Sequence, residues 1–131
     1  MQDLDQARSL LRLAHRDLNA LLGMRHSRRF ADEIVGFHAQ QALEKALKAW
    51  LCQLGAQYPL THELSRLLLL LETNGVDVTA FWPLDRFTYF AVQARYAEGS
   101  GTGPRLDRVA TIAEVRALLG HVAAIVGDPK T

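Results

Sequence analysis

Apolar side chains recur along this chain in steps of three and four, the spacing of one face of an α-helix. Leu4, Ala7, Leu11, Ala14, Leu18 and Leu21 predict a first helix from about Leu4 to Met24. A basic connector, Arg25-His26-Ser27-Arg28-Arg29, follows it, and the pattern resumes from about Asp32 to Leu54, where Gly55 supplies a stop. Pro59 confines Tyr58 to an extended conformation. Thr61 is placed as the N-cap of a third helix, with Glu63 at its positive end and Leu64, Leu67, Leu68 and Leu71 turned inward until Asn74-Gly75. Val76 to Pro83 is a connector anchored by Phe81 and Trp82, followed by a shorter helix from about Leu84 to Tyr96. The β-branched and aromatic residues of that segment would also suit a strand. Gly99, Gly101 and Gly103 make Glu98 to Pro104 an expected mobile loop. Thr111-x-x-Glu114 is a capping box for the last helix, whose inward stripe is Ile112, Val115, Leu119, Val122 and Val126. These elements predict an all-α antiparallel four-helix bundle with an extra short helix.

The second helix is the one around which the others should pack. At about 100° per residue, Ala39, Ala42, Leu43, Ala46, Leu47, Ala49, Trp50 and Leu54 share one wide arc. His38, Gln41, Glu44, Lys45 and Lys48 share the other. Alanines on one flank allow a neighbouring backbone close; the leucines and Trp50 fill a core. Glu44 and Lys48 stand four apart in the favourable order, a pair worth about 0.2–0.5 kcal/mol on a surface.

Composition narrows the function classes. The chain has 131 residues, enough for a single domain over 1–131 with a real core, and 49% are hydrophobic, which excludes disorder. A formal charge of +1 excludes coating nucleic acid through bulk charge; any such contact must be a local patch. Cys52 is the sole cysteine and can form no internal disulfide, which suits a reducing cytoplasm. The acidic start, Met1-Gln2-Asp3-Leu4-Asp5, lacks the apolar core of a signal peptide, and the aliphatic run Leu67 to Leu71 is short of the ~20 residues of a membrane span. A soluble cytoplasmic protein with no membrane contact is expected.

Candidate chemistry centres on the polar ridge. His38, Gln41, Lys45 and Lys48, at spacings of three, four and three, present an imidazole, a carboxamide and two ammonium groups suited to a phosphate or a base edge. A solvated face with ordinary pairs accounts for the same residues. Gln40 lies nearer the apolar arc, where a hydrogen bond between elements is its expected role. His62 is not needed for capping beside Thr61, so it is free to line a pocket between the second and third helices. The basic connector suits phosphate contacts and loop solubility equally. The glycines of residues 99–103 lack the Lys-Ser/Thr of a phosphate-binding loop and read as a hinge. Five dispersed histidines and Cys52 give no metal-ligand spacing, and no cofactor is implied.

Phe37-His38-Ala39-Gln40-Gln41-Ala42-Leu43-Glu44-Lys45-Ala46-Leu47-Lys48-Ala49 closely resembles the corresponding stretch of small prokaryotic HEPN-domain proteins. Tyr58-Pro59-Leu60-Thr61-His62-Glu63-Leu64 resembles that family's Pro-x-Thr-His-Asp/Glu-Leu turn, and Arg95-Tyr96 its Arg-Tyr-Pro. The resemblance implies a HEPN-like bundle, a homodimer, and a place beside a minimal nucleotidyltransferase in a toxin–antitoxin pair. For a second copy, the alanine flank of the second helix and the aromatic connector are the expected contact surfaces.

Many relatives carry an arginine separated by four to six residues from a following histidine and cleave RNA without metal, histidine moving the proton and arginine stabilising the phosphorane. Here Arg95 occupies the arginine position, but no histidine stands among residues 99–103, and Ala97 replaces the family's proline. Arg116 and His121 match the spacing within the last helix, and Arg8 with His15 matches by accident. A five-residue step turns a helix about 140°, separating those side chains. The expected function is therefore binding of a nucleotide or RNA at a dimer-spanning site, with His38, Gln41, Lys45, His62, Arg95 and Tyr96 as contacts. An active endoribonuclease drawing on Arg95, Arg116 and His121, and a pure protein-interaction module, remain as alternatives.

Overall fold

A computed structural model describes residues 2–96 and 105–127, with side chains over 2–92 and 105–127. Helix α1 spans Leu4–Met24, α2 Asp32–Gln53, α3 Leu64–Thr73, α4 Tyr89–Tyr96 and α5 Arg108–Val126, with a 3-10 segment at Thr79–Thr88 before α4. No strand occurs among the described residues.

α1 starts where the Asp3 side chain accepts from the Gln6 amide at 2.9 Å. It buries Ala7, Leu11, Ala14, Leu18 and Leu21, while Leu4 is only half-buried. Each fully buried leucine contributes about 1.5–3 kcal/mol of hydrophobic stabilisation before entropy is counted. α2 ends as its glycine predicts: Gly55 takes a φ of 76°, and the Ala56 amide reaches back to the Leu51 carbonyl at 3.0 Å.

Contact with α1, α3, α4 and α5 makes α2 the hub of the bundle, with α1 its most extensive neighbour. Asp3 meets Cys52 at one end and Asp17 meets His38 midway, so α1 and α2 are antiparallel. Arg108 meets Asp32 and His121 meets Trp50, so α5 runs with α2 and against α1. The alanine flank of α2 is consumed inside this arrangement. Ala39, Ala42, Ala46 and Ala49 are fully covered within one chain, so they offer no surface to a second copy. The aromatic connector is partly used as well, since Phe81 and Trp82 pack against the core.

Three local expectations are corrected. The helix drawn from Leu84 begins at Tyr89, because Pro83 and the preceding turn leave Thr79–Thr88 in 3-10 geometry. α5 opens at Arg108, capped by Asp107, whose carboxylate accepts from the Ala110 amide at 3.0 Å; Thr111 of the supposed capping box is buried in the first turn. Thr61 does not cap α3. Its hydroxyl accepts from the Glu63 amide at 3.1 Å, and the first amides of α3 are satisfied from afar, Leu64 by Thr88 at 3.0 Å and Ser65 by Asp85 at 2.9 Å. α5 is long and apolar enough to cross a membrane by length and composition alone. Its inward stripe, Ile112, Val115, Leu119, Val122 and Val126, lies in the core of the bundle.

One close approach fixes α4 on α2. Gly36 faces the Phe90 ring with no room for a Cβ, so the glycine is what lets the ring seat against the helix backbone. The expected loop from Glu98 to Pro104 lies outside the described residues.

Candidate functional site

The polar face of α2 is organised by two internal carboxylates, one on each edge. On the α1 edge stands Asp17, only 12% exposed at its side chain. Its Oδ2 accepts from Lys45 Nζ at 2.6 Å, and its Oδ1 lies 3.1 Å from His38 Nδ1. His38 and Lys45 are seven residues apart, two turns along one ridge, so a single carboxylate from α1 bridges both. A carboxylate accepts and cannot donate, so the proton of the His38 contact belongs to Nδ1, and Nε2 has no partner among the described residues.

On the α3 edge stands Glu44, whose side chain is 7% exposed. Its Oε2 accepts from Lys48 Nζ at 2.9 Å, and its Oε1 accepts from Gln40 Nε2 at 3.0 Å and lies 2.8 Å from His62 Nδ1. Burial pushes the Glu44 carboxyl up; hydrogen bonds from Lys48, Gln40 and His62, with the Lys48 charge, overcome that and hold it below its ordinary value. The Gln40 amide also donates to the His62 carbonyl at 2.9 Å, tying the turn before α3 to α2. Gln40 therefore does what its place near the apolar arc predicts. Gln41 Nε2 donates to Gln40 Oε1 at 2.7 Å, which points the Gln41 carbonyl oxygen outward. The Glu44–Lys48 pair is a buried one, so the modest surface figure for i,i+4 pairs does not apply to it.

What faces outward is consequently specific. His38 and His62 are 33% and 52% exposed, and each has Nδ1 fixed by an internal carboxylate and Nε2 open. Between them on the helix surface lies the Gln41 carboxamide. The ammonium groups of Lys45 and Lys48 are already engaged by Asp17 and Glu44. With the proton of each imidazole on Nδ1, the Nε2 atoms and the Gln41 carbonyl oxygen can accept from a ligand, and the surface carries little free positive charge.

The other sequence candidates are dispersed. Arg95 and Tyr96 belong to the last turn of α4, and their side chains lie outside the described ones. Arg116 is exposed on α5, and no hydrogen bond joins it to His121. The His121 ring instead packs beside Trp50 and Phe81, at centroid distances of 5.0 and 5.2 Å. A cleft of ≈ 540 Å³ opens between the start of α1 and the turn after α2, lined by Asp3, Gln6, Cys52, Gly55, Gln57 and Tyr58 among others. It involves none of the ridge residues. Burial pushes the Cys52 thiol and the Tyr58 phenol up, so neither is an activated nucleophile.

Asp17 is the residue that sequence reasoning missed. It sits seven residues from both Leu10 and Met24, in a register where α1 turns inward, and a charged side chain there is the signal of a buried partner.

A family model described as the HEPN domain matches residues 7–128. Comparison with curated proteins and with solved structures finds no match.

Proposed function

This chain belongs to the HEPN family, and on that premise we propose that it binds a nucleotide or RNA through the exposed face of α2, with His38, Gln41 and His62 as contacts. Lys45 contributes through Asp17 and its remaining exposure, and Arg95 and Tyr96 are further contacts that the family resemblance implies. Membership in the family points to nucleotide- or RNA-related function. The observation that carries the assignment to this face is the pair of carboxylate-anchored imidazoles flanking Gln41. Fixing Nδ1 removes rotamer and tautomer freedom before a ligand arrives, which lowers the entropic cost of binding. We assign binding rather than cleavage, because no histidine follows Arg95 at the family's spacing. The resemblance also implies a second copy of the chain and a minimal nucleotidyltransferase as partners, in the cytoplasm.

Thermal denaturation against a panel of nucleotides and short RNAs tests this reading. A ligand present at about 100 times its Kd should stabilise the fold by about 2.7 kcal/mol. Gln41→Ala, which removes only one hydrogen bond from the network, should abolish that gain while leaving the unliganded stability close to that of the wild type. A second reading, a protein-interaction module, draws on the internal neutralisation of Lys45 and Lys48, which leaves the ridge nearly uncharged. A flat response across the whole panel favours that reading instead.

A further inference from the structure

The connector between α1 and α2 carries Arg25, His26, Arg28 and Arg29, all exposed, and then Phe30 with 42% of its surface in water. Among the described residues none of these cationic side chains forms an ion pair or hydrogen bond. Four cations elsewhere are paired, Lys45 with Asp17, Lys48 with Glu44, Arg86 with Glu114 and Arg108 with Asp32, whereas the connector gathers its cations within five residues. Clustering unpaired guanidinium groups in one turn is repulsive, and a loop left to itself would spread them.

This loop is held. Arg108, at the start of α5 and only 17% exposed, reaches into it with its whole guanidinium. Nη1 donates to the carbonyls of Met24 and Ser27 at 2.8 and 2.7 Å, Nη2 to the Phe30 carbonyl at 2.5 Å, and Nε to Asp32 at 3.1 Å. The Ser27 amide bonds to the Met24 carbonyl at 3.1 Å, and the Ser27 hydroxyl accepts from the Arg29 amide at 3.2 Å. The Leu106 amide donates to Asp32 at 3.3 Å, which ties the segment before α5 to the start of α2. The backbone is thus fixed from inside while every basic side chain and an aromatic ring are left outside.

We propose that this connector is a docking platform for single-stranded RNA, Arg25, Arg28 and Arg29 meeting phosphates and Phe30 stacking on an unpaired base. Guanidinium groups interleaved with an aromatic face are the combination that single strands require, since every base has a π-face and every linkage a negative charge. A duplex would leave Phe30 idle, because its bases are already stacked. With a formal charge of only +1 on the chain, the affinity must come from this local patch. The connector runs directly into α2, so a strand held there is delivered toward His38. The inference rests on the RNA reading of that ridge and extends it from one nucleotide to a strand.

The test uses fluorescence anisotropy with a labelled oligouridylate of about 12 nucleotides, over salt from about 50 to 200 mM, beside the thermal-shift assay with mononucleotides. The triple variant Arg25→Gln/Arg28→Gln/Arg29→Gln should lower the slope of log affinity against log salt by about 2, three contacts at about 0.7 each. Phe30→Ala should weaken the oligonucleotide about tenfold. Both variants should keep the wild-type melting temperature and the wild-type mononucleotide shift, because Arg108 and the ridge are untouched. Oligonucleotide binding with unchanged affinity and salt slope in the triple variant overturns the proposal while leaving the ridge intact. Wild-type protein that responds to mononucleotides but ignores the oligonucleotide does the same. Equal binding of an RNA duplex with no effect of Phe30→Ala overturns the single-strand assignment. An oligonucleotide response lost only with Gln41→Ala would place the whole site on the ridge and dismiss the connector.

Discussion

Replacing Glu44 with glutamine is the sharpest probe of how the α2 face is built. The carboxylate is 93% covered at its side chain, as its 7% exposure states, and all its interactions are with Lys48, Gln40 and His62. Glutamine keeps one acceptor oxygen for Gln40 and His62 but turns a donor toward Lys48 Nζ. One charge-assisted hydrogen bond is lost, about 1.5–3 kcal/mol, and an ammonium only 11% exposed is left without its counter-charge. Together these give a loss of about 2–4 kcal/mol, a large share of the 5–15 kcal/mol typical of a domain, and a fall in Tm of about 10 °C. Urea denaturation at pH 7 measures it. The pH dependence supplies an independent check. The folded carboxyl titrates below its ordinary value of 4.5, so its contribution is fully present above that pH and is lost as pH falls through the lower folded value. The wild type should therefore lose stability over that acid window more steeply than Glu44→Gln. A loss below about 0.5 kcal/mol at pH 7, or parallel acid profiles, would mean the pair behaves as a surface one and that the buried network does not hold the face.

Other consequences are more local. Gly36→Ala should gain about 1 kcal/mol from helix propensity if space allowed, but its Cβ would collide with Phe90, so a net loss of about 1–3 kcal/mol is expected in thermal melts. Arg108→Met should leave the bundle folded while releasing the connector, seen as faster trypsin cleavage after Arg25, Arg28 and Arg29 than in the wild type. Asp85→Ala and Thr88→Val each remove a distant cap from α3 and should cost about 1 kcal/mol, with amide exchange increasing at Leu64 and Ser65.

The legible part of this fold was whatever depends on neighbours in sequence. The stripes of α1, α2, α3 and α5 follow from three- and four-residue spacing, and Gly55 ends α2 through its own backbone freedom. The motif around Phe37 to Trp50 led to the family. Partners distant in sequence were not legible. Nothing local indicates that Leu64 and Ser65 are capped by Thr88 and Asp85, so Thr61 looked sufficient. Nothing local indicates that Asp17 reaches His38 and Lys45 from 21 and 28 residues away, so the ridge looked like free cations. The alanine flank likewise reads as available in sequence, and only the packed bundle buries it. Arg108 was invisible for the same reason, since its worth lies in carbonyls that only the folded connector presents.

The five histidines offer the most direct test of the central claim, because His15, His26, His38, His62 and His121 each give an imidazole signal. In protein labelled with ¹⁵N at histidine, adding a short RNA should shift the Nε2 resonances of His38 and His62, with Nδ1 of each held on its carboxylate and His121 unmoved. Shifts confined to His121 or His15, or none at all at saturating RNA, would contradict the assignment of the α2 face as the binding surface.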